Sequence, residues 1–242
     1  TSLFVVESPS KAKTLGQYLG DRFHVMATKG HVRVLPKRKD SVRPDEGFAM
    51  DFEVPPSARD NVAKIVREAK AADEIYLAMD PDREGEAIAW HVLEELRAAG
   101  VVSLNAGGAG PGDELAGGLR EPTSAAAGAP EDKQVWRVTF NSVSREAVQD
   151  ALASPRLVDA NLVSAQQARQ ALDYLVGFTL SPVLWQKLPS ARSAGRVQSV
   201  ALRLLAERET EVERFRAVDY WSLALHLETV TDGDDEGGAS FG

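Results

Sequence analysis

The chain has 242 residues, 43% of them hydrophobic and 26% charged, with a formal net charge of −8. That balance excludes a wholly disordered or fibrous protein, and no apolar run approaches the ~18 residues of a membrane helix. The absence of cysteine excludes disulfides, thiolate zinc sites and cysteine nucleophiles, while four scattered histidines argue against a multi-histidine metal centre. No secretory signal is visible, and a reducing cytoplasm suits such a chain.

Leu3 to Val6 is a short apolar run that predicts a first strand, ending in Glu7-Ser8-Pro9-Ser10. A helical pattern follows from Ser10 to about Leu19, with Gly20 as its stop. Phe23 to Thr28 reads as a second strand, Asn61 to Ala72 as a helix, and Glu74 to Met79 as a buried strand. A helix then runs from the Asp80-Pro81-Asp82-Arg83-Glu84 turn to about Ala99. Val135 to Phe140 alternates before a helix over Ser144 to Ala153. Strands alternating with helices predict an α/β domain with a largely parallel sheet over about residues 1–150.

Residues 101–132 are mostly Gly, Ala, Pro and Ser and read as a flexible insertion. From about residue 151 the alternation stops. Helical patterns over Asp159 to Val176, Ser181 to Lys187 and Gly195 to Phe215 predict a second, mainly helical domain over 151–242. Trp221, Leu223, Leu225 and Leu227 alternate with polar neighbours and predict a strand with one apolar face. The acidic, glycine-rich close gives no structural ending, so the chain reads as a truncated piece of a longer protein.

The charge is segregated. Lys29, Arg33, Lys37, Arg38, Lys39 and Arg43 crowd one stretch, and Glu228, Asp232, Asp234, Asp235 and Glu236 crowd the tail. Net charge therefore decides little about a nucleic-acid partner.

Asp80, Asp82 and Glu84 stand at i, i+2 and i+4 where an apolar strand hands over to a helix. In an extended segment this spacing points all three carboxylates one way. The carboxyl end of a parallel strand is also where open α/β sheets place ligands. Like charges so close either take up protons or bind a hard cation such as Mg²⁺. Helix capping by Asp82, with Glu84 and Glu86 near a positive helix end, explains one or two of these acids. It does not explain Asp80 together with Glu7 at a second strand end.

Lys11 and Lys13 open the first helix, where amides and lysines suit a phosphate, although exposed helical lysines are common. Carboxylates, a lysine and a Mg²⁺ cluster together suggest phosphoryl transfer. His31 lies in the basic stretch and is either a phosphate contact or simply solvated. Arg169 and Asp173 are one turn apart and able to pair. Phe178 and Trp185 are core residues by spacing, but aromatics beside basic groups also stack single-stranded bases. Ser193-Ala194-Gly195-Arg196-Val197-Gln198-Ser199 puts small residues, an Arg and a Gln at a helix start, suited either to a sugar–phosphate backbone or to plain capping.

Several of these segments together resemble the bacterial DNA topoisomerase I family, of type IA. They are Val5-Val6-Glu7-Ser8-Pro9-Ser10-Lys11-Ala12-Lys13, Gly30-His31-Val32-Arg33, the run from Asp80 to His91, Ala165-Gln166-Gln167-Ala168-Arg169, Ser181-Pro182-Val183-Leu184-Trp185, and Ser193 to Ser199. The resemblance covers Leu3 to about Trp221 apart from the insertion. It implies a Toprim domain followed by a portion of a domain that holds single-stranded DNA.

Such enzymes cut one strand with a tyrosine, pass the other strand and reseal, relaxing negative supercoils without ATP. Carried onto this chain, Glu7, Asp80, Asp82 and Glu84 are expected to bind Mg²⁺, and Glu7, Lys11 and Arg83 to serve catalysis. His31, Arg169, Gln170, Asp173, Phe178, Trp185, Ser193, Ala194, Gly195, Arg196, Val197 and Gln198 are expected to contact DNA, although many relatives have arginine where Gln170 stands. None of Tyr18, Tyr76, Tyr174 and Tyr220 lies in the family's Thr-Tyr-x-Arg-Thr-Asp-Ser type motif. The chain is therefore expected to be an N-terminal fragment, monomeric, cytoplasmic and nucleoid-associated, that does not relax DNA unaided. A pure single-strand-binding module and another Toprim primase or nuclease are the alternative readings.

Overall fold

The computed structural model describes residues 1–103 and 133–227. The chain divides into two compact units, Thr1–Arg196 and Val197–Gly242.

The first unit is built on a four-stranded parallel sheet in the order β2-β1-β5-β6. Its strands are β1 (Ser2–Val6), β2 (Phe23–Ala27), β5 (Glu74–Leu77) and β6 (Gln134–Arg137). A small antiparallel pair, β3 (Val42–Arg43) and β4 (Ala49–Met50), lies in the connection after β2. β1 is central and registers Val5 against both Met26 and Leu77.

Helices cover both faces, as a parallel sheet requires. The alternation of β1 decides which layer each side chain enters. Leu3 and Val5 pack with Ile75 and Leu77 against α2 (Pro56–Ala71) and α3 (Arg83–Ala98). Phe4 and Val6 face Leu15 of α1 (Pro9–Leu19) and Val148 of α4 (Arg145–Ala153). Helix starts follow local chemistry: Ser8, Asp82, Ser144 and Asp159 each accept a backbone N–H in the first turn of the helix they precede.

Three sequence expectations are corrected. The segments 159–176 and 181–187 form one helix, α5 (Ala160–Lys187), which runs through Pro182. Proline withdraws a single backbone donor there, and the rest of the helix continues across it. Residues 221–227, expected as a strand, carry none, and among the described residues no strand pairs with them. The expected insertion starts too early, since Val101 and Val102 are buried in the core; residues 104–132 of it, and the acidic close from residue 228, lie outside the described residues.

In the second unit, helix α6 (Arg196–Arg214, which begins on the last residue of the first unit) leaves Val197, Val200, Leu204 and Leu205 exposed. No described helix is long and apolar enough to cross a membrane.

Candidate active site and adjoining grooves

The parallel strands deliver their carboxyl ends to one edge of the sheet, and the acidic residues gather there. Glu7 directly follows β1, and its Oε1 accepts the backbone N–H of Asp80 at 2.5 Å. The Asp80 carboxylate pairs with the ammonium of Lys11, in the first turn of α1. Asp82 caps α3, accepting from the Gly85 amide at 2.7 Å. The i, i+2, i+4 reading holds only as far as Asp82, because α3 starts at Arg83 and lifts Glu84 into a helical turn. Glu84 there meets His31 Nδ1 at 3.4 Å and accepts from Gln166 Nε2 at 3.3 Å.

These carboxylates are hard oxygen donors of the kind Mg²⁺ takes. Each, however, is engaged by a protein donor, and among the described residues no three acidic or histidine side chains converge on one point. In this arrangement the turn is an acidic, lysine-balanced edge rather than a closed metal cage.

Beneath the turn lies a network that the sequence reading missed. Glu86 and Arg137 are wholly buried, and their side chains meet at 3.0 Å. Arg137 also donates to the carbonyls of Leu77, Met79, Val138 and Asp80, at 3.1, 2.8, 2.6 and 2.7 Å. Arg156 grips both oxygens of Glu86 at 2.7 Å, and the backbone N–H of Asp159 adds a fourth donor at 2.7 Å. Burial by itself would raise the Glu86 carboxyl. The hydrogen bonds from Arg156 and Asp159 and the charges of Arg137 and Arg156 instead hold it below the ordinary carboxylate range. Arg137 was legible in principle, because it shares the inward parity of Val135 on β6, and a charge on a buried face needs a counter-charge.

α5 packs against α3 and forms the wall facing the acidic turn. A cleft of about 800 Å³ opens between them, lined by His31, Asp82, Arg83, Glu84, Gln166 and Arg169, together with Gln170 and Asp173. Gln166 Oε1 and Gln170 Oε1 are shielded acceptors without a hydrogen-bond partner among the described residues. Gln166 was read only as part of a motif, yet it reaches the acidic turn.

A second groove of about 780 Å³ continues along α5 and shares Gln170 and Asp173 with the first. Its lining includes Lys37, Tyr174, Phe178, Trp185, Ser193 and Ala194. Tyr174 and Phe178 stack with ring centroids 4.4 Å apart. Phe178 is 40% and Trp185 49% exposed, so neither is a core residue despite its helical spacing. Trp185 Nε1 donates to Arg192 O at 2.9 Å, and Ser181 Oγ accepts from the Ala194 amide at 3.1 Å. These two bonds fold the Ser193–Gly195 segment back onto α5. Arg196 then reaches Asp173 at 3.3 Å, closer than the 3.9 Å of Arg169 to the same carboxylate.

Val197 and Gln198 lie on the first turn of α6 in the second unit, both exposed. Of the expected site residues, Glu7, Lys11, Asp80, Asp82, Arg83 and Glu84 thus share the sheet edge and α3 start. His31, Arg169, Gln170, Asp173, Phe178, Trp185, Ser193 and Ala194 line the two connected grooves, and Arg196 is tied to them through Asp173.

The open parallel sheet carries its paired acids at the carboxyl edge, where such sheets place ligands. Residues 2–107 match the Toprim domain model, and residues 158–239 match the DNA topoisomerase model. DNA topoisomerase 1 of Rickettsia felis is 50% identical over 226 residues, covering 93% of this chain and 26% of the relative. DNA topoisomerase 1 of Zymomonas mobilis is 46% identical over 231 residues, covering 96% of this chain and 17% of the relative. The solved full-length topoisomerase I of Thermotoga maritima superposes with a TM-score of 0.68 at 36% identity, over 88% of this chain and 31% of that one. Over nearly its whole length the chain is similar to these DNA topoisomerases. It spans about a quarter of the length of the Rickettsia felis relative.

Proposed function

We propose that this chain supplies the acidic half of a type IA topoisomerase active site and the adjoining groove for single-stranded DNA. The observation that carries this reading is the cleft joining the 80–84 turn to α5, in which Asp82, Arg83 and Glu84 face Gln166 and Arg169. A strand lying along α5 would bring a phosphate toward Lys11 and Glu7, and stack its bases near Phe178 and Trp185. Glu7, Asp80, Asp82 and Glu84 are the groups that would take Mg²⁺, and their donor chemistry supports this. Bound there, the ion would balance phosphate charge.

In this reading Glu7 handles a proton at the reacting oxygen, Lys11 steadies the phosphate, and Arg83 assists from the first turn of α3. His31, Arg169, Gln170, Asp173, Ser193, Ala194, Gly195, Arg196, Val197 and Gln198 serve the DNA. The functional division falls near residue 150, between the Toprim part and the DNA-holding part. Strand passage needs no ATP, because the bond energy is conserved in a phosphotyrosine whose tyrosine lies outside these 242 residues. The molecule acts as a monomer in the bacterial cytoplasm, on nucleoid DNA.

The test is relaxation of a negatively supercoiled plasmid. The 242-residue chain alone is expected to leave the plasmid supercoiled. A protein of the relatives' full length carrying this segment is expected to relax it with Mg²⁺ and without ATP, and to lose that activity with Glu7→Gln. Relaxation by the 242 residues alone, or a full-length Glu7→Gln variant as active as its parent, overturns the proposal.

A further inference from the structure

We infer that Arg156 is a positioning residue for the acidic turn, acting through Glu86 and Arg137 from outside every motif of the site. The chain of contacts is continuous. Arg156 forks onto both Glu86 oxygens, Glu86 holds Arg137, and Arg137 holds the carbonyls of Leu77, Met79 and Asp80. The backbone around Asp80 is therefore set by a guanidinium whose own orientation depends on Glu86.

Two features make Arg156 the controlling member. First, it is the outermost, with a side chain 38% exposed, whereas Glu86 and Arg137 are sealed from water. Second, it is doubly anchored: its backbone N–H and C=O pair with those of Arg137 at 2.9 and 2.7 Å, extending the edge of β6. Glu86 Oε1 also accepts from the Asp159 amide, the residue that caps α5. One buried carboxylate thus joins the start of the groove helix to the start of the acidic helix. Two guanidiniums against that single carboxylate leave a positive surplus under the turn, and Arg137 feels the charge of Glu7. The surplus offsets the repulsion among Glu7, Asp80 and Asp82.

The importance of the acidic turn rests on the proposed function, but the positioning role is tested without it. Hydrogen exchange of the 242-residue chain is measured for the wild type, Arg156→Gln and Arg156→Lys. The Asp80 and Gly85 amides, bonded to Glu7 and Asp82, report on the turn, and the amides of β1 report on the core. Arg156→Gln is expected to speed exchange at Asp80 and Gly85 by about tenfold while β1 is unchanged. Arg156→Lys keeps the charge but not the fork and is expected to fall between. Unchanged exchange at Asp80 and Gly85, or equal acceleration in β1, overturns the inference by reducing Arg156 to an outer tether or a general stabiliser. If Arg156→Gln does not fold, the same comparison on Arg156→Lys decides. Loss of single-strand binding by the wild type would count against the proposed function and leave this result standing.

Discussion

Gly85 lies so close beneath Asp80 that a Cβ on it would come 2.2 Å from the Asp80 carbonyl oxygen and 2.8 Å from its nitrogen. The acidic turn is therefore wound directly onto the first turn of α3, and only glycine permits the approach. Because the opposing atoms are backbone held by Glu7 and Arg137, they cannot swing aside. Gly85→Ala is expected to cost about 1–3 kcal/mol and to displace the turn. Urea denaturation measures the first effect, and faster exchange at Asp80 the second.

The Glu86–Arg137 pair carries a larger penalty when halved. Arg137→Met leaves a buried carboxylate with one side-chain partner fewer and removes the guanidinium donor from four carbonyls, of which Leu77 keeps the Val138 N–H, at a cost of about 3–5 kcal/mol. The double variant Glu86→Gln with Arg137→Met is expected to recover part of that loss. A double-mutant cycle by denaturant melting checks this.

The same carboxylate makes stability fall in acid. Glu86 has a folded pKa below its unfolded value, so the unfolded chain binds the proton more readily. Its contribution is complete above the unfolded value near 4.5 and is lost as pH falls through the folded value. Glu86→Gln is expected to flatten the stability profile below pH 4.5, read by thermal melting across that range.

His91 acts in a higher window. It is buried against Phe52 and Trp90 with Nδ1 unbonded among the described residues, and burial, the Arg33 charge and His31 push it down to about 3. Between the ordinary 6.5 and about 3 the unfolded chain holds a proton that the folded chain refuses, so stability drops as pH falls through this range. The slope reaches at most about 1.4 kcal/mol per pH unit. His91→Phe is expected to remove the slope between pH 6 and 5, above the Glu86 window, in denaturant titrations at fixed pH values.

Much of this arrangement was legible in the sequence, and the reasons differ by element. Leu3 to Val6 and Glu74 to Met79 are apolar runs each followed by acids, so both strand ends and the residues of the acidic edge followed from patterning alone. The grooves were half legible. Phe178 and Trp185 have helical spacing that suits a core equally well, and only packing shows them half exposed along α5. The sequence pattern divides α5 into two helices, and the structure runs one helix from its Asp159 cap through Pro182. Arg137 and Arg156 were not legible as a pair. Their partner Glu86 looked like one more acid near a helix N-terminus, and the distance from residue 86 to residue 156 leaves no local pattern. The apolar alternation of Trp221 to Leu227 predicts a strand, yet a strand exists only when another supplies its hydrogen bonds.

In the proposed function, the cleft between the acidic turn and α5, with the groove beyond it, takes single-stranded DNA. This is tested most directly by fluorescence anisotropy of a labelled single-stranded oligonucleotide titrated with the 242-residue chain, against a duplex of the same length, with Arg169→Ala and Phe178→Ala variants. Preference for the single strand and weakening by added salt are expected. Phe178→Ala is expected to lose about 1–2 kcal/mol through the missing stack, and Arg169→Ala to flatten the salt dependence. Equal affinity for the duplex, or single-strand binding indifferent to both substitutions, would contradict it.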